Sequence, residues 1–482
     1  MVESKAELTE IPASEILDKI QKGEPVRYDH VRITGDLDLS KLNLPTAQVA
    51  RTEFQIKTLN LPQECKVVSS KITITDSKFE KTTNFTNHLF RESIDFKNTI
   101  FSGNADFKGA TLGGIADFSG ATFSFIYNVD PGGHADFKGA EFSGTTFIGN
   151  PLFNRAEFNG FAYFRGAEFK RSADFEKVTF SWYVDSKSEF SGYANFGDTT
   201  FGWYANFREA EFRGCADFRR ATFGGSAEFG RTTIRGGANF EGTSFIGTAN
   251  FIGTEFNLYA EFSRSIFSGE VNFSEAVFSD RVNFNGTKFE GDLLTFKNAA
   301  FTRLSFQEKA CRKAKNAMAK AGNRDLEEYH FYREMVAKRG QNGLIKGSNV
   351  LYRRRKNLRT ENLSVIRRFL WYDVFEYIFI QKIFGYGVYP WWLIAWWGGF
   401  VILFGIAYWA GNGIDGAVNA FDYFKVSFAT AIAPGYIAVI INPASTGYRL
   451  APTYQAAAIA ETIIGTFLWA GFIATFARRY MR

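Results

Sequence analysis

ANFGDTTFGWYANFREAEFRGCADF, residues 194–218, places an aromatic ring at alternating steps of five and six: Phe196, Phe201, Phe207, Phe212 and Phe218. The step continues through Phe223, Phe229, Ile234, Phe240 and Phe245, and on through Phe251, Phe256, Phe262 and Phe267 to Phe273, Phe278, Phe284 and Phe289. Two residues before many of these stands Ala or another small residue, with Asp, Asn or Glu between them. Such a period fits neither a helix nor a long strand; it marks a repeat. Two elevens give a coil of four short sides, about 22 residues, which stacks Phe196 under Phe218, Phe240, Phe262 and Phe284 at a strand spacing of about 4.8 Å. The small residue turns inward beside each Phe, because two bulky side chains per side would overfill the axis. The acidic or amide residue points outward. Phe240→Asp is then expected to be severe and the outward Asn239→Asp nearly neutral.

These blocks resemble pentapeptide repeats of the Phe-centred type, and the resemblance implies a right-handed quadrilateral β-helix over residues 31–306. About twenty elevens make about ten coils, a rod roughly 50 Å long. The repeat explains the composition, 54 Phe and 45 Gly against 4 Met. The step breaks at Phe125–His134 (FIYNVDPGGH) and at Ser181–Ser188 (SWYVDSKS), both expected to bulge out as loops. Upstream, residues 14–22 (SEILDKIQK) form a short amphipathic helix, with Ile16, Leu17 and Ile20 on one face and Gly23 as its stop. Within residues 1–30 it serves as a cap on the coil stack.

After the repeat, residues 307–339 return to helical spacing as two helices joined at Ala321-Gly322-Asn323. Ala310, Ala314 and Ala317 face Leu326, Tyr329, Tyr332 and Val336, and the hairpin closes the other end of the stack. Gly340–Asn349 reads as a flexible linker, completing a segment of residues 307–350. Residues 351–389 combine basic and aromatic residues as an interfacial helix on the inner leaflet. Arg353, Arg354, Arg355, Lys356, Arg367 and Arg368 are its candidate contacts to lipid headgroups, with simple positive-inside anchoring as the plainer alternative.

Residues 390–482 complete the chain. Trp391–Ala410 carries no charge, and Tyr454–Ala477 carries one, Glu461. Each is long enough to cross a hydrocarbon core of about 30 Å as a helix. The segment between them is too apolar for a solvated loop and too broken by Pro and Gly for a third span. Irregular backbone at membrane depth must be buried in protein or line water. Helix, short helix, loop and inner helix look like the two-transmembrane pore unit of potassium-channel-like proteins. The resemblance rests on Phe421-Asp422-Tyr423-Phe424, on Thr430, Ala431, Ile432, Ala433, Pro434, Gly435, Tyr436 and Ile437 in the filter position, and on Glu461-x-x-x-Gly465. It implies an all-α pore domain with a re-entrant pore loop, assembled as a tetramer. The family filter T-V-G-Y-G is not reproduced. Pro434 fixes φ and lacks an N–H, and Ile437 replaces a glycine, so poor discrimination between potassium and sodium is expected. The Gly385-Tyr386-Gly387 before the first span is a decoy without an inner helix after it.

An ionisable residue inside a span is functional by default. Glu461 is expected either to ring the cavity and set cation preference or to bond the neighbouring pore helix. Gly465 is either a bend or a close-packing point. Arg449 lies near the outer mouth, which keeps anion conduction as an alternative.

Charge and chemistry bound the rest. Residues 307–369 hold 17 basic against 6 acidic side chains, while only Lys425 and Arg449 lie between the spans. Positive-inside bias therefore predicts cytoplasmic N- and C-termini in a plasma membrane. The start has no apolar h-region, so no cleaved signal peptide is expected. Three scattered cysteines without a CxxC fit a reducing cytosol. The four histidines are far apart, no phosphate loop occurs, and no enzyme, metal site, cofactor or nucleic-acid partner is expected. A net charge of −5 over residues 85–306, with Arg and Lys interspersed, is too weak for a DNA mimic. The sequence thus predicts an ion channel whose partners are membrane lipids, permeant ions and further copies of itself. The alternative is a membrane-anchored scaffold whose β-helix presents an interaction surface.

Overall fold

The computed structural model describes residues 8–124, 126–129, 135–138, 140–342, 376–433 and 447–480. It divides into two compact units, Met1–His330 and Phe331–Arg482.

In the first unit the chain turns through four parallel faces. It lays down Val26–Asp29, Val31–Thr34 and Leu37–Asp38, reaches the fourth face at Glu64–Val68, and returns as Ile72–Thr75 on top of Val26–Asp29. Repetition builds two sheets of 12 strands and two of 11. The Phe columns stack as expected: ring centroids lie 4.9 Å apart for Phe196 and Phe218, 5.0 Å for Phe218 and Phe240, and 4.9 Å for Phe240 and Phe262. Rings on opposite sides meet edge to face across the axis, as Phe218 and Phe229 do at 5.4 Å.

Corners alternate in kind. At one kind the residue two beyond the axial Phe takes positive φ, 56° at Asp198 and Arg220 and 66° at Gly242. The next residue is small and buried, and where it is Thr or Ser its hydroxyl donates to a backbone carbonyl of the coil before, in most cases that of a Phe. Thr243 reaches Phe218 O at 2.7 Å and Thr254 reaches Phe229 O at 2.6 Å. At the other kind the coils nearly touch: a Cβ on Gly247 would overlap the Gly225 carbonyl.

The solenoid starts earlier than the sequence suggests. Thr9–Pro12 pairs in parallel with Val31–Thr34, ahead of the capping helix α1, Ala13–Lys22, which buries Ile16 and Ile20 and stops at Gly23 with φ 73°. The coils therefore exceed the expected ten. Of the two expected loops, the first leaves the coil as an antiparallel hairpin, Ile126–Val129 with Ala135–Lys138. The second does not bulge. Val184–Asp185 stays in register between Ala162–Tyr163 and Ala205–Asn206. The coil is instead one residue short, so that Phe169, Phe175 and Phe180 stack on Phe190, Phe196 and Phe201. The missing residue comes out of a corner, which leaves the ladder hydrogen bonds intact. Ser186 takes the axial place of a Phe there, and its hydroxyl donates to Ser188 Oγ at 3.2 Å.

A strap lies across one corner column. Arg51 donates to Gly109 O at 2.5 Å, and Gln55, on the short helix α2 (Glu53–Lys57), donates to Gly144 O at 3.1 Å and Gly166 O at 3.2 Å. These three glycines have φ of 65–69°, and a Cβ on any of them would strike the strap or a neighbouring corner side chain. At the far end α3 (Leu304–Lys320) and α4 (Arg324–Asn342) meet at Gly322, φ 72°. Ala310, Ala314 and Met318 join the Phe core. The helix runs through Gly340 to Asn342, beyond the linker start expected there.

The second unit is helical. Glu376–Ile383 winds as a π-helical turn and Gly385–Gly387 as a single 3-10 turn in which Tyr386 has φ 53°, while residues 351–375 of the expected interfacial helix lie outside the described residues. Then come α5 (Pro390–Ala410), α6 (Ala420–Ile432) and α7 (Gln455–Tyr480), each packed on the other two. Among the described residues two helices are long and apolar enough to cross a membrane, Pro390–Ala410 and Pro452–Ala477.

Candidate functional site

The three helices α5, α6 and α7 bring together polar groups that an apolar hairpin has no need of. α6 is built to start abruptly. Asn419 Oδ1 accepts the Asp422 N–H at 3.1 Å, and Asp422 Oδ2 accepts the N–H groups of Val418 at 3.0 Å and Asn419 at 3.2 Å. This reciprocal cap satisfies the orphan donors of the first turn. The other Asp422 oxygen accepts from Tyr448 OH at 3.0 Å and Lys425 Nζ at 3.2 Å. The Val418 N–H, foremost among these donors, holds the carboxyl well below the usual carboxylate range. Tyr448 thereby ties the start of α6 to the chain entering α7. Beside it Ile414–Asp415 pairs antiparallel with Arg449–Leu450, leaving Arg449 exposed.

The far end of α6 rests on α7. Thr462 Oγ1 lies 3.3 Å from Thr430 O, and Thr430 is itself buried with its hydroxyl on Val426 O at 2.8 Å. A Cβ on Gly465 would overlap the Ala431 carbonyl. Gly465 is thus a close-packing point, and α7 runs past it as one helix. Ile432 and Ala433 end α6 on its exposed side.

Glu461 lies within the helical unit. Its side chain is 1% exposed, between the three helices. Oε2 accepts from Tyr408 OH at 2.7 Å, and Oε1 meets Ser427 Oγ, which also lies 2.8 Å from the Val401 carbonyl. Both carboxylate oxygens are thus engaged by hydroxyls, one on α5 and one on α6. The second of the two sequence readings, a bond to the short helix, is the one this geometry follows. Sequence reasoning missed Tyr408 and Ser427. The available signal was a hydroxyl on each apolar helix, without which a buried carboxylate would stand unpaired.

Pro434, Gly435, Tyr436 and Ile437 lie outside the described residues, as do Arg353, Arg354, Arg355, Lys356, Arg367 and Arg368. Among the described residues no group of His, Cys, Asp or Glu is arranged to hold a metal ion.

On the solenoid the outward carboxylates are bound into its structure. Asp95, Asp106, Asp117 and Asp174 each accept the backbone N–H two residues on, at 2.9–3.1 Å, which closes a corner. On the fourth face Arg213 lies 3.2 Å from both Glu189 and Glu211, and Arg235 lies 2.9 Å from Glu211.

A family model described as pentapeptide repeats matches residues 74–122, 133–179, 196–244, 207–255 and 229–277, in nine copies. The chain carries pentapeptide repeats wound as a β-solenoid, followed by helices of which two are apolar enough to span a membrane. No curated protein and no solved structure matches it.

Proposed function

We propose that the protein is a homotetrameric ion channel of the plasma membrane, with a two-span pore formed by residues 390–482 and a cytoplasmic pentapeptide-repeat solenoid. The observation that carries this reading is α6. Its 13 residues reach about 20 Å, short of the hydrocarbon thickness, yet it is capped, docked on both long helices and pinned at Gly465. A membrane anchor needs two crossings and a turn. A short helix held between the crossings is the means by which a pore places a helix end at membrane depth. The C-terminal carbonyls of α6 carry partial negative charge and favour a cation. On this reading cation preference comes from that helix end, and Glu461 positions it.

Discrimination between potassium and sodium is poor, because the sequence after Ala433 has one glycine where a carbonyl cage needs two and a proline where an N–H would stand. Purified protein in planar bilayers, under opposed potassium and sodium gradients, tests the proposal. Discrete cation currents reversing near zero are expected. Absence of current at any voltage would reduce residues 390–482 to an anchor, and a Nernstian potassium response would overturn the selectivity.

A further inference from the structure

The last coils of the solenoid and α3 enclose a cavity of about 640 Å³, in the size range of small-molecule sites. Tyr259, Val282, Phe284 and Phe306 give it an apolar floor, and Arg281, Lys309, Arg312 and Lys313 surround it with positive charge. Lys309, Arg312 and Lys313 stand three and four residues apart and so share one side of α3. One carboxylate lines the cavity, Glu261, and it is already engaged by Asn283 Nδ2 at 2.8 Å and the Ser263 N–H at 3.0 Å.

What sets the cavity apart is the cluster of four cations. Elsewhere on the solenoid surface several cations pair, as Arg220 does with Asp198 at 2.7 Å, Arg235 with Glu211 at 2.9 Å and Arg264 with Glu241 at 3.1 Å, while others, such as Lys288, stand singly. At the cavity Arg312 pairs with Glu308 and Arg281 lies 3.7 Å from Asp280. Lys309 and Lys313 have no hydrogen-bond or ion-pair partner among the described residues. Lys313 is also partly withdrawn from water, and that burial lowers its pKa from the ordinary lysine value. Two ammonium groups without an acidic partner line a cavity that also has aromatic lining, and the complement they lack is an anion. The floor adds that the anion should carry an apolar body.

We propose that this cavity binds an organic phosphate, with the phosphate between Lys309, Lys313 and Arg281 and the apolar part against Phe306 and Phe284. A soluble phosphate ester and a phospholipid headgroup share this chemistry. Isothermal titration of the full-length protein in neutral detergent separates them, with phenyl phosphate, inorganic phosphate and dioctanoyl phosphatidic acid as probes. Phenyl phosphate is expected to bind saturably and more tightly than inorganic phosphate. Lys309→Gln and Lys313→Gln should each weaken it about tenfold, while Lys288→Gln, on the solenoid surface and outside the cavity lining, leaves it unchanged. Tighter binding of dioctanoyl phosphatidic acid than of phenyl phosphate, lost in the same two variants, assigns the site to a lipid headgroup; the reverse order assigns it to a soluble ester. If Lys313→Gln fails to fold, the exposed Lys309 carries the test alone. No saturable binding of any probe, or equal affinity in wild type and lysine variants, overturns the proposal.

Discussion

Asn195 donates its side-chain N–H to Asp174 Oδ1 at 3.0 Å, one coil back along the same face. The pair belongs to a column that alternates charge and amide: Asp174, Asn195, Asp217, Asn239, Glu261, Asn283. Parallel coils about 4.8 Å apart would otherwise stack like charges directly on one another. The opposite face uses the same kind of bond, with Asn250 donating to Glu228 at 2.8 Å. An amide every second coil gives each carboxylate a donor in place of a rival. This overturns the expectation that Asn239→Asp is neutral, since the new carboxylate stands between Asp217 and Glu261. The cost should be about 1 kcal/mol at neutral pH and shrink in high salt. Thermal unfolding at two ionic strengths checks it; an unshifted transition at low salt would remove the ladder as a stabilising device.

The axis sets a larger scale. Phe240 is fully buried between Phe218 at 5.0 Å and Phe262 at 4.9 Å. Phe240→Ala should cost about 3–5 kcal/mol, because the closed coil cannot collapse onto the space left behind. Phe240→Leu should recover most of it. Denaturant titration of the full chain reads both, and a loss for Ala no larger than that of Asn239→Asp would mean that the register is wrong.

His88 should make the solenoid acid-sensitive. It is buried, with Nδ1 2.8 Å from Thr86 O, and burial pushes its pKa below the ordinary histidine value. The folded state keeps it neutral while the unfolded chain takes up a proton. Its contribution is therefore complete above a pH of about 6.5 and is lost as the pH falls below that toward the depressed folded value. Burial raises the Glu141 carboxyl, which works in the opposite sense. The measurement is thus the difference between wild type and His88→Leu: the wild-type transition should fall relative to the variant as pH drops from 7 to 5. Parallel pH profiles would exclude His88.

The axis was legible because its period is written in the side chains that fill it, and a Phe every fifth or sixth residue leaves few alternatives. The strap over Gly109, Gly144 and Gly166 was not. Its helix has only five residues, and what holds it are carbonyls exposed by glycines 58 to 111 residues further on. The short coil at Ser186 was misread as a loop because the Phe was missing, although the backbone ladder never broke. In the apolar hairpin, spacing located Glu461 on a helix. Helical position alone does not say what lies against a face, and the partners Tyr408 and Ser427 come from two other helices.

Gly465 gives a test of the α6–α7 contact. Gly465→Ala adds a methyl that would overlap the Ala431 carbonyl, whereas a Cβ on Gly398 of α5 meets nothing within 4 Å. The first should destabilise the hairpin by about 2 kcal/mol and reduce conductance by shifting the end of α6. Gly398→Ala should do neither. Melting in detergent and macroscopic current in liposomes give the two readouts, and equal behaviour of the two variants would refute the close approach.

Glu461 decides between a permeation role and a positioning one. Bonded to Tyr408 and Ser427, it should influence the pore through α6 and not through its charge. Glu461→Gln keeps the shape and one acceptor oxygen, so the reversal potential in a salt gradient should stay where it is, with modest loss of stability. Glu461→Leu leaves the Tyr408 and Ser427 hydroxyls without this partner and should cost about 3 kcal/mol. Its current should fall with the amount of folded protein, at unchanged selectivity. A reversal potential that moves toward the anion side in a well-folded Glu461→Gln would put the carboxylate back in the ion path, and the inward hydrogen bonds would then describe one state of a side chain that turns.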